Sequence, residues 1–438
     1  LKNSKGLKRL FSEDAARAFK GMATMAVGSG LGRLISLLAI PFATRIYTPE
    51  GFGVLAVFTS LVTILAPIVS LRYVLTLPLP RQTGTALNLL LLSFGLILAG
   101  TAFIMLALAI FSEPMLNFFS MAAIVPWWWL IGIGVLVTAT YELMTFWATR
   151  RRAYGIIAKT NIIQNSAGAL ATIGLGVVGL NPLGLLLGAI IAKGGGLFWL
   201  LRDFKTDLFR IPQAITANRL ATAAGFYRDF PFYRVPSQFL MVFSQQAPLL
   251  FAAAVYGAEL TGQLSLALMA LAIPVTLVGE AMGKALYAEA AAIGKSGSDR
   301  IYQMTKDTQK KLFLVSIPSG LVLFFFGEQI FYLVFGQEWE ASGKFASLLS
   351  IYIVFHFTSA PLVQLLNIMA NQSTFLRINV VRVLSILALF SFVFFTKIAA
   401  ARFIFLYSIL MAFFYIYVSV LVMHILKKKS DQVRADCL

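Results

Sequence analysis

The chain has 438 residues, 59% of them hydrophobic and only 12% charged, with a formal net charge of +18. A soluble domain carries about 25% charged residues; here apolar runs of about 20 residues recur along the whole length, the pattern of a multi-span α-helical membrane protein. Runs such as ALNLLLLSFGLILAG do not alternate with period two, which excludes a membrane β-barrel, and no stretch between spans is long enough to bury a soluble core of its own.

The N-terminal segment LKNSKGLKRLFSEDAARAFK is charged and amphipathic. It lacks a small-residue cleavage site, so the first span is expected to stay in the mature protein. Twelve helical spans are predicted at 20–45, 52–80, 86–111, 121–149, 160–180, 182–202, 236–256, 262–290, 311–335, 345–370, 376–396 and 402–426. They group as an N-terminal six-helix lobe over 1–202, a linker over 203–235, a C-terminal six-helix lobe over 236–426 and a basic tail over 427–438. The fold class is therefore all-α, with two pseudo-symmetric lobes expected around a central cavity. Of the 36 Lys and Arg, 28 lie in the termini and even-numbered connections, Arg377 and Arg382 among them, against 4 in the odd-numbered connections. That bias predicts both termini in the cytoplasm. Runs such as Arg150-Arg151-Arg152 and Lys427-Lys428-Lys429 are accordingly read as membrane anchors and not as nucleic-acid contacts.

An internal repeat supports the two-lobe reading. Residues 47–53 read YTPEGFG and residues 256–262 read YGAELTG, an offset of 209. Each places Tyr, then Glu three later, then Gly three after that, between two apolar helices. Both copies begin on the cytoplasmic side, so the repeat is parallel, one recurring plan among transporters.

Four cations remain inside the predicted spans: Arg33, Arg72, Lys193 and Lys284. A charge at a helix centre costs about 2.5–3.5 kcal/mol on insertion scales, so such residues are expected to face a watery cavity or a partner. Arg72 and Lys284 are placed in the cytoplasmic thirds of helices 2 and 8, from which they can also snorkel to the interface. The carboxylates at depth are Glu142 and Glu280, candidates for ion coupling or for structural pairing; Glu280 lies four residues before Lys284, the favourable order for a helical ion pair. The cations outnumber them, which predicts a basic cavity for an anion. Gln245, Gln246, His356, Asn165 and Gln364 line that cavity or serve as hydrogen-bond glue between helices. Gly28 and Gly32 suggest close helix packing, and Lys193 followed by three glycines suggests a locally loose sixth helix.

Other chemistry finds little support. The single Cys437 and the two histidines, His356 and His424, offer no metal site. GEAMGKA at 279–285 has three residues between its glycines where a P-loop has four, and no Ser or Thr after Lys284. No D-x-D motif and no large outer loop is present, so neither an enzyme activity nor a cofactor is expected.

Several stretches together resemble one family: GRLISLLAIPFATRIYTPEGFGVLAVFTSLV, SLRYVLTLPLPRQTGTALNLLLLS, YRDFPFYRVPS, LALAIPVTLVGEAMGKALYAEAA and FGEQIFYLVFGQEWEASGK. They are similar to the polysaccharide transporters, or oligosaccharide flippases, of the multidrug/oligosaccharidyl-lipid/polysaccharide superfamily. The resemblance implies two six-helix lobes in a V-shaped bundle, a cationic central cavity, and flipping of undecaprenyl-diphosphate-linked oligosaccharide across the bacterial inner membrane for O-antigen, capsule or exopolysaccharide. It also implies membrane lipids, a glycan polymerase and a chain-length regulator as partners. Two positions depart from it: Val74 stands where the family often has Glu, and Met269 where an Arg is common. A drug or small-cation antiporter on the same fold, and a non-transporting scaffold of a glycan assembly complex, are the competing readings.

Overall fold

The computed structural model describes residues 13–209 and 216–436, apart from 276–278, 280–281, 284–285, 287–288, 291–292, 294–296, 364 and 366–371. Among the described residues all regular structure is helical, and ten helices are long and apolar enough to cross a membrane. The protein is a multi-pass membrane protein. The predicted span at 160–180 is the helix Tyr154–Val177, which carries Asn161, Gln164 and Asn165 and is not among these ten. The predicted span at 262–290 begins as the shorter apolar helix Ala258–Pro274. Glu280, Lys284 and Gln364 lie outside the described residues.

The chain divides into two compact units, the first made of 1–47 and 54–242, the second of 48–53 and 243–438. The first unit contains α1 (Glu13–Ala43), most of α2 (Pro49–Val69), α3 (Thr83–Phe118), α4 (Trp129–Arg150), α5 (Tyr154–Val177), α6 (Leu183–Gly194), α7 (Leu197–Asp203), α8 (Lys205–Leu208) and α9 (Ala217–Phe226). Small residues set its closest helix contacts. A Cβ on Gly28 would strike Ala158, and one on Gly32 would strike the Asn161 backbone, so α1 lies directly along α5. Across that seam Ser36 donates to Asn165 Oδ1 at 2.7 Å and Asn161 donates to Ser29 Oγ at 3.2 Å. The polar residues of α5 therefore bind helix to helix. Gly168 and Gly188 bring α5 and α6 together in the same way.

The second unit contains α10 (Val235–Tyr256, from Phe243 onward), α11 (Ala258–Pro274), α12 (Ser298–Phe335), α13 (Glu340–Val363), α14 (Gln372–Thr396) and α15 (Ala400–Asp436). Phe251 stacks on Phe390 with ring centroids 4.1 Å apart. Gln263 donates to Glu338 O at 2.6 Å and accepts from Ser342 N at 2.9 Å, tying α11 to the start of α13.

The repeat is visible in what its residues do. Tyr47 donates to Thr172 O on α5 at 2.8 Å, and Tyr256 donates to Ile398 O just after α14 at 2.9 Å. Each phenol thus ties its own copy to a backbone carbonyl near the end of that copy's fifth helix. Glu50 and Glu259 occupy the first turns of α2 and α11, where the helix dipole favours an anion. The glycines meet reciprocally inside the second unit, to which 48–53 belongs. A Cβ on Gly53 would strike Ala258 O, and a Cβ on Gly262 would strike Pro49 O.

Candidate functional site

Arg72 owes its position to a break in the backbone. Helix α2 stops at Val69, eleven residues before the predicted end at 80, because Leu71 and Arg72 adopt left-handed φ values of 45° and 60°. The Arg72 N–H donates to Ser70 Oγ at 3.3 Å, and a 3-10 turn over Tyr73–Thr76 follows. Arg72 is thus a turn residue and not a helical one. Its Nη1 reaches Glu142 Oε1 on α4 at 2.9 Å, with side-chain exposures of 9% and 28%. The expected cationic surplus does not include Arg72: Glu142 holds it. Next to it Tyr73 is buried and donates to Ala224 O at 3.0 Å; burial pushes its phenol above the ordinary tyrosine value.

Lys193 is placed differently. It lies in the last turn of α6, just before the turn at Gly195–Gly196 that separates α6 from α7. These glycines are tight: a Cβ on Gly194 would strike Val137, and one on Gly196 would strike Thr160. The expectation of a loose sixth helix is corrected to a break at a close helix crossing. Lys193 Nζ is 3.5 Å from Thr63 Oγ1 and borders a cavity of about 10 Å³ shared with Phe58, Val62 and Thr138. Thr138 Oγ1 is buried without a hydrogen-bond partner. Among the described residues no carboxylate pairs with Lys193.

Arg33 is exposed on α1 within the span Ala23–Ala43, and Gln245 is exposed on α10 with Gln246 half-buried beside it. His356 sits elsewhere, in an aromatic cluster of the second unit. Tyr352 Oη and His356 Nδ1 share a hydrogen bond at 3.1 Å, and the imidazole stacks on Tyr415 with centroids 4.5 Å apart.

That cluster encloses a residue expected in a connection between spans. Arg382 lies ten residues into α14, inside the span Leu376–Thr396, and is only 9% exposed. Its guanidinium stands 5.7 Å from the Phe414 ring and 5.9 Å from the Tyr415 ring. Its Nε has no hydrogen-bond partner, and among the described residues no carboxylate pairs with it. Cation–π contact is worth about 2 kcal/mol when desolvated, less than the cost of a charge at depth. The signal was present: six residues into the predicted span 376–396 is too deep for an anchor. Among the described residues no cluster of three or more His, Cys, Asp or Glu could hold a metal ion.

Residues 42–344 match the model of a family described as polysaccharide biosynthesis protein. The chain belongs to this family. No curated protein matches it. Solved structures similar to it are transporters of the MATE fold. A point mutant of the Vibrio cholerae MATE transporter VcmN is 15% identical with a TM-score of 0.56, covering 94% of this chain and 96% of its own. An inward-facing multidrug resistance MATE transporter of the MOP superfamily is 13% identical with a TM-score of 0.62, covering 94% of each. A MATE protein in complex with MaL6 is 12% identical with a TM-score of 0.58, covering 99% of this chain and 100% of its own. This member of the polysaccharide biosynthesis family therefore has the MATE fold.

Proposed function

We propose that this protein is a flippase that carries polyprenyl-diphosphate-linked oligosaccharide from the cytoplasmic to the outer leaflet of the bacterial inner membrane by alternating access. The observation that carries this reading is the sign of the charge held at depth. Lys193 and Arg382 lie inside membrane-spanning helices with no carboxylate partner among the described residues, while Glu142 is taken up by Arg72. Each unpaired cation costs roughly 2.5–3.5 kcal/mol, a cost that an anionic cargo offsets when it binds. A diphosphate is such an anion, and its polyprenyl tail can stay in lipid throughout. A multidrug or small-cation antiporter on the same fold would need the opposite surplus, of carboxylates at depth. Membership of a polysaccharide biosynthesis family supports the glycan cargo. The flipped unit would pass to a glycan polymerase and its chain-length regulator for O-antigen, capsule or exopolysaccharide, with both termini of the flippase in the cytoplasm. Deleting the gene in a strain without a paralogue tests the proposal. Surface glycan should disappear and lipid-linked repeat unit accumulate on the cytoplasmic side; unchanged surface glycan would refute it.

A further inference from the structure

A second cavity of the first unit is lined by neither Lys193 nor Arg72. It has a volume of about 330 Å³ and runs between α3, α4 and the α7–α8 corner. Its walls are Leu90, Leu91 and Phe94 of α3, Leu143 and Met144 of α4, and Leu201 of α7. Thr140 supplies the single polar side chain of the lining. The groove is open to its surroundings, since Phe94 and Leu201 are each 38% exposed. At that volume it reaches the size of an ordinary ligand pocket, yet it offers almost nothing to hydrogen-bond.

Polar groups gather instead at one end. Leu143 and Met144 lie seven and six residues before Arg150, which at 1.5 Å per residue puts them about 10 Å below the basic end of α4. Arg150, Arg151 and Arg152 close α4, and the contact between Arg151 and Asp207 brings that end to the segment that carries Arg202, Asp203 and Lys205. Asp207 is consumed: Arg151 Nε lies 3.0 Å from its Oδ2, Arg151 Nη2 donates to its Oδ1 at 3.2 Å, and Trp147 Nε1 donates to Oδ2 at 3.2 Å. That pairing fixes α8 against α4 beside the groove. Arg150 is spent on the backbone carbonyls of Leu77 and Pro80. Arg152, Arg202 and Lys205 are exposed.

An apolar slot about 10 Å beneath a cationic rim has the dimensions of one lipid: phosphate at the rim, hydrocarbon in the outer part of a leaflet whose apolar half-thickness is about 15 Å. We propose that this groove is a binding site for an anionic phospholipid, with one acyl chain between α3, α4 and α7 and the phosphate against Arg202 and Lys205. Charge complementarity selects the anionic headgroup, because Lys and Arg near the membrane surface attract anionic lipid. Mass action favours the bulk phospholipid over scarcer lipids of the same charge. The proposal is independent of the transported cargo.

Native mass spectrometry of the full chain, released from vesicles of equal phosphatidylglycerol and phosphatidylcholine with matched chains, tests it. The wild type should retain phosphatidylglycerol at least about threefold over phosphatidylcholine. Leu91→Trp and Leu201→Trp, both at the mouth, should fill the groove and remove one retained lipid while eluting as monodisperse protein. Two variants guard against one failing to fold. Arg202→Gln with Lys205→Gln should bring the ratio close to one while a lipid is still retained. Equal retention of the two lipids by the wild type, or full retention in the folded Trp variants, would overturn the proposal. So would displacement of phosphatidylglycerol by an equimolar polyprenyl phosphate, which would assign the groove to that lipid.

Discussion

The Arg72–Glu142 pair makes an asymmetric prediction. Arg72 is 9% exposed and Glu142 is 28% exposed, and Arg72 Nε already lacks a hydrogen-bond partner. Removing the arginine, as Arg72→Met, leaves a carboxylate that water can reach. The loss is then close to that of one charge-assisted hydrogen bond, about 2 kcal/mol. Removing the carboxylate, as Glu142→Leu, strands a buried guanidinium, and the loss should approach the 3–5 kcal/mol typical of breaking a buried pair. Replacing both together should cost less than Glu142→Leu alone, because no stranded charge remains. The four proteins can be compared by their unfolding midpoints in mixed detergent micelles, provided the slope of the transition is unchanged. Equal losses for the two single variants, or a double variant whose loss is their sum, would refute the reasoning.

Further outcomes follow from other sites. Lys193→Met should reduce flipping of a lipid-linked oligosaccharide in vesicles by about tenfold or more without lowering thermal stability, and Lys193→Arg should keep part of the activity; full activity in Lys193→Met would remove Lys193 from the cargo path. Gly53→Val and Gly262→Val should each destabilise by more than about 2 kcal/mol, because a side chain there meets a backbone carbonyl. Gly95→Ala, with open space around its Cβ, should not; circular-dichroism melts distinguish the two cases. If a diphosphate of about two charges crosses from a negative cytoplasm, a 100 mV potential supplies roughly 4.6 kcal/mol. Collapsing the potential with valinomycin and potassium should therefore slow flipping more than collapsing the proton gradient with nigericin.

Much of the fold was legible because membrane spans are written in local sequence. Hydropathy and the Tyr-x-x-Glu-x-x-Gly repeat located the helices and the two copies without any knowledge of contacts. The charged sites were less accessible, for reasons that differ by residue. Arg72 looked helical because the apolar run continues through Leu79, whereas the break depends on left-handed backbone at Leu71 and Arg72, which no residue type there demands. Its partner Glu142 is 70 residues away. Arg382 was masked by Arg377, since two arginines near a span end read as anchors. Its aromatic enclosure is assembled from α13 and α15, so only the folded chain shows that this guanidinium is buried. Asn165 was open to two readings, cavity lining or hydrogen-bond glue, and the bond it accepts from Ser36 shows it bridging helices.

The reciprocal glycine contact bears on how the two copies can change over time. Gly53 faces Ala258 while Gly262 faces Pro49, and both pairs are related by the same offset of 209. A duplicated segment normally frees one copy to drift. Here each copy's glycine leaves room for the other copy's first helical turn, so a bulkier residue in either is felt by both. Divergence at these four positions should therefore be concerted: within the family, a chain that replaces one glycine should carry a compensating withdrawal in the opposite turn. The repeat would then persist at these positions long after the surrounding apolar sequence has lost all trace of common descent.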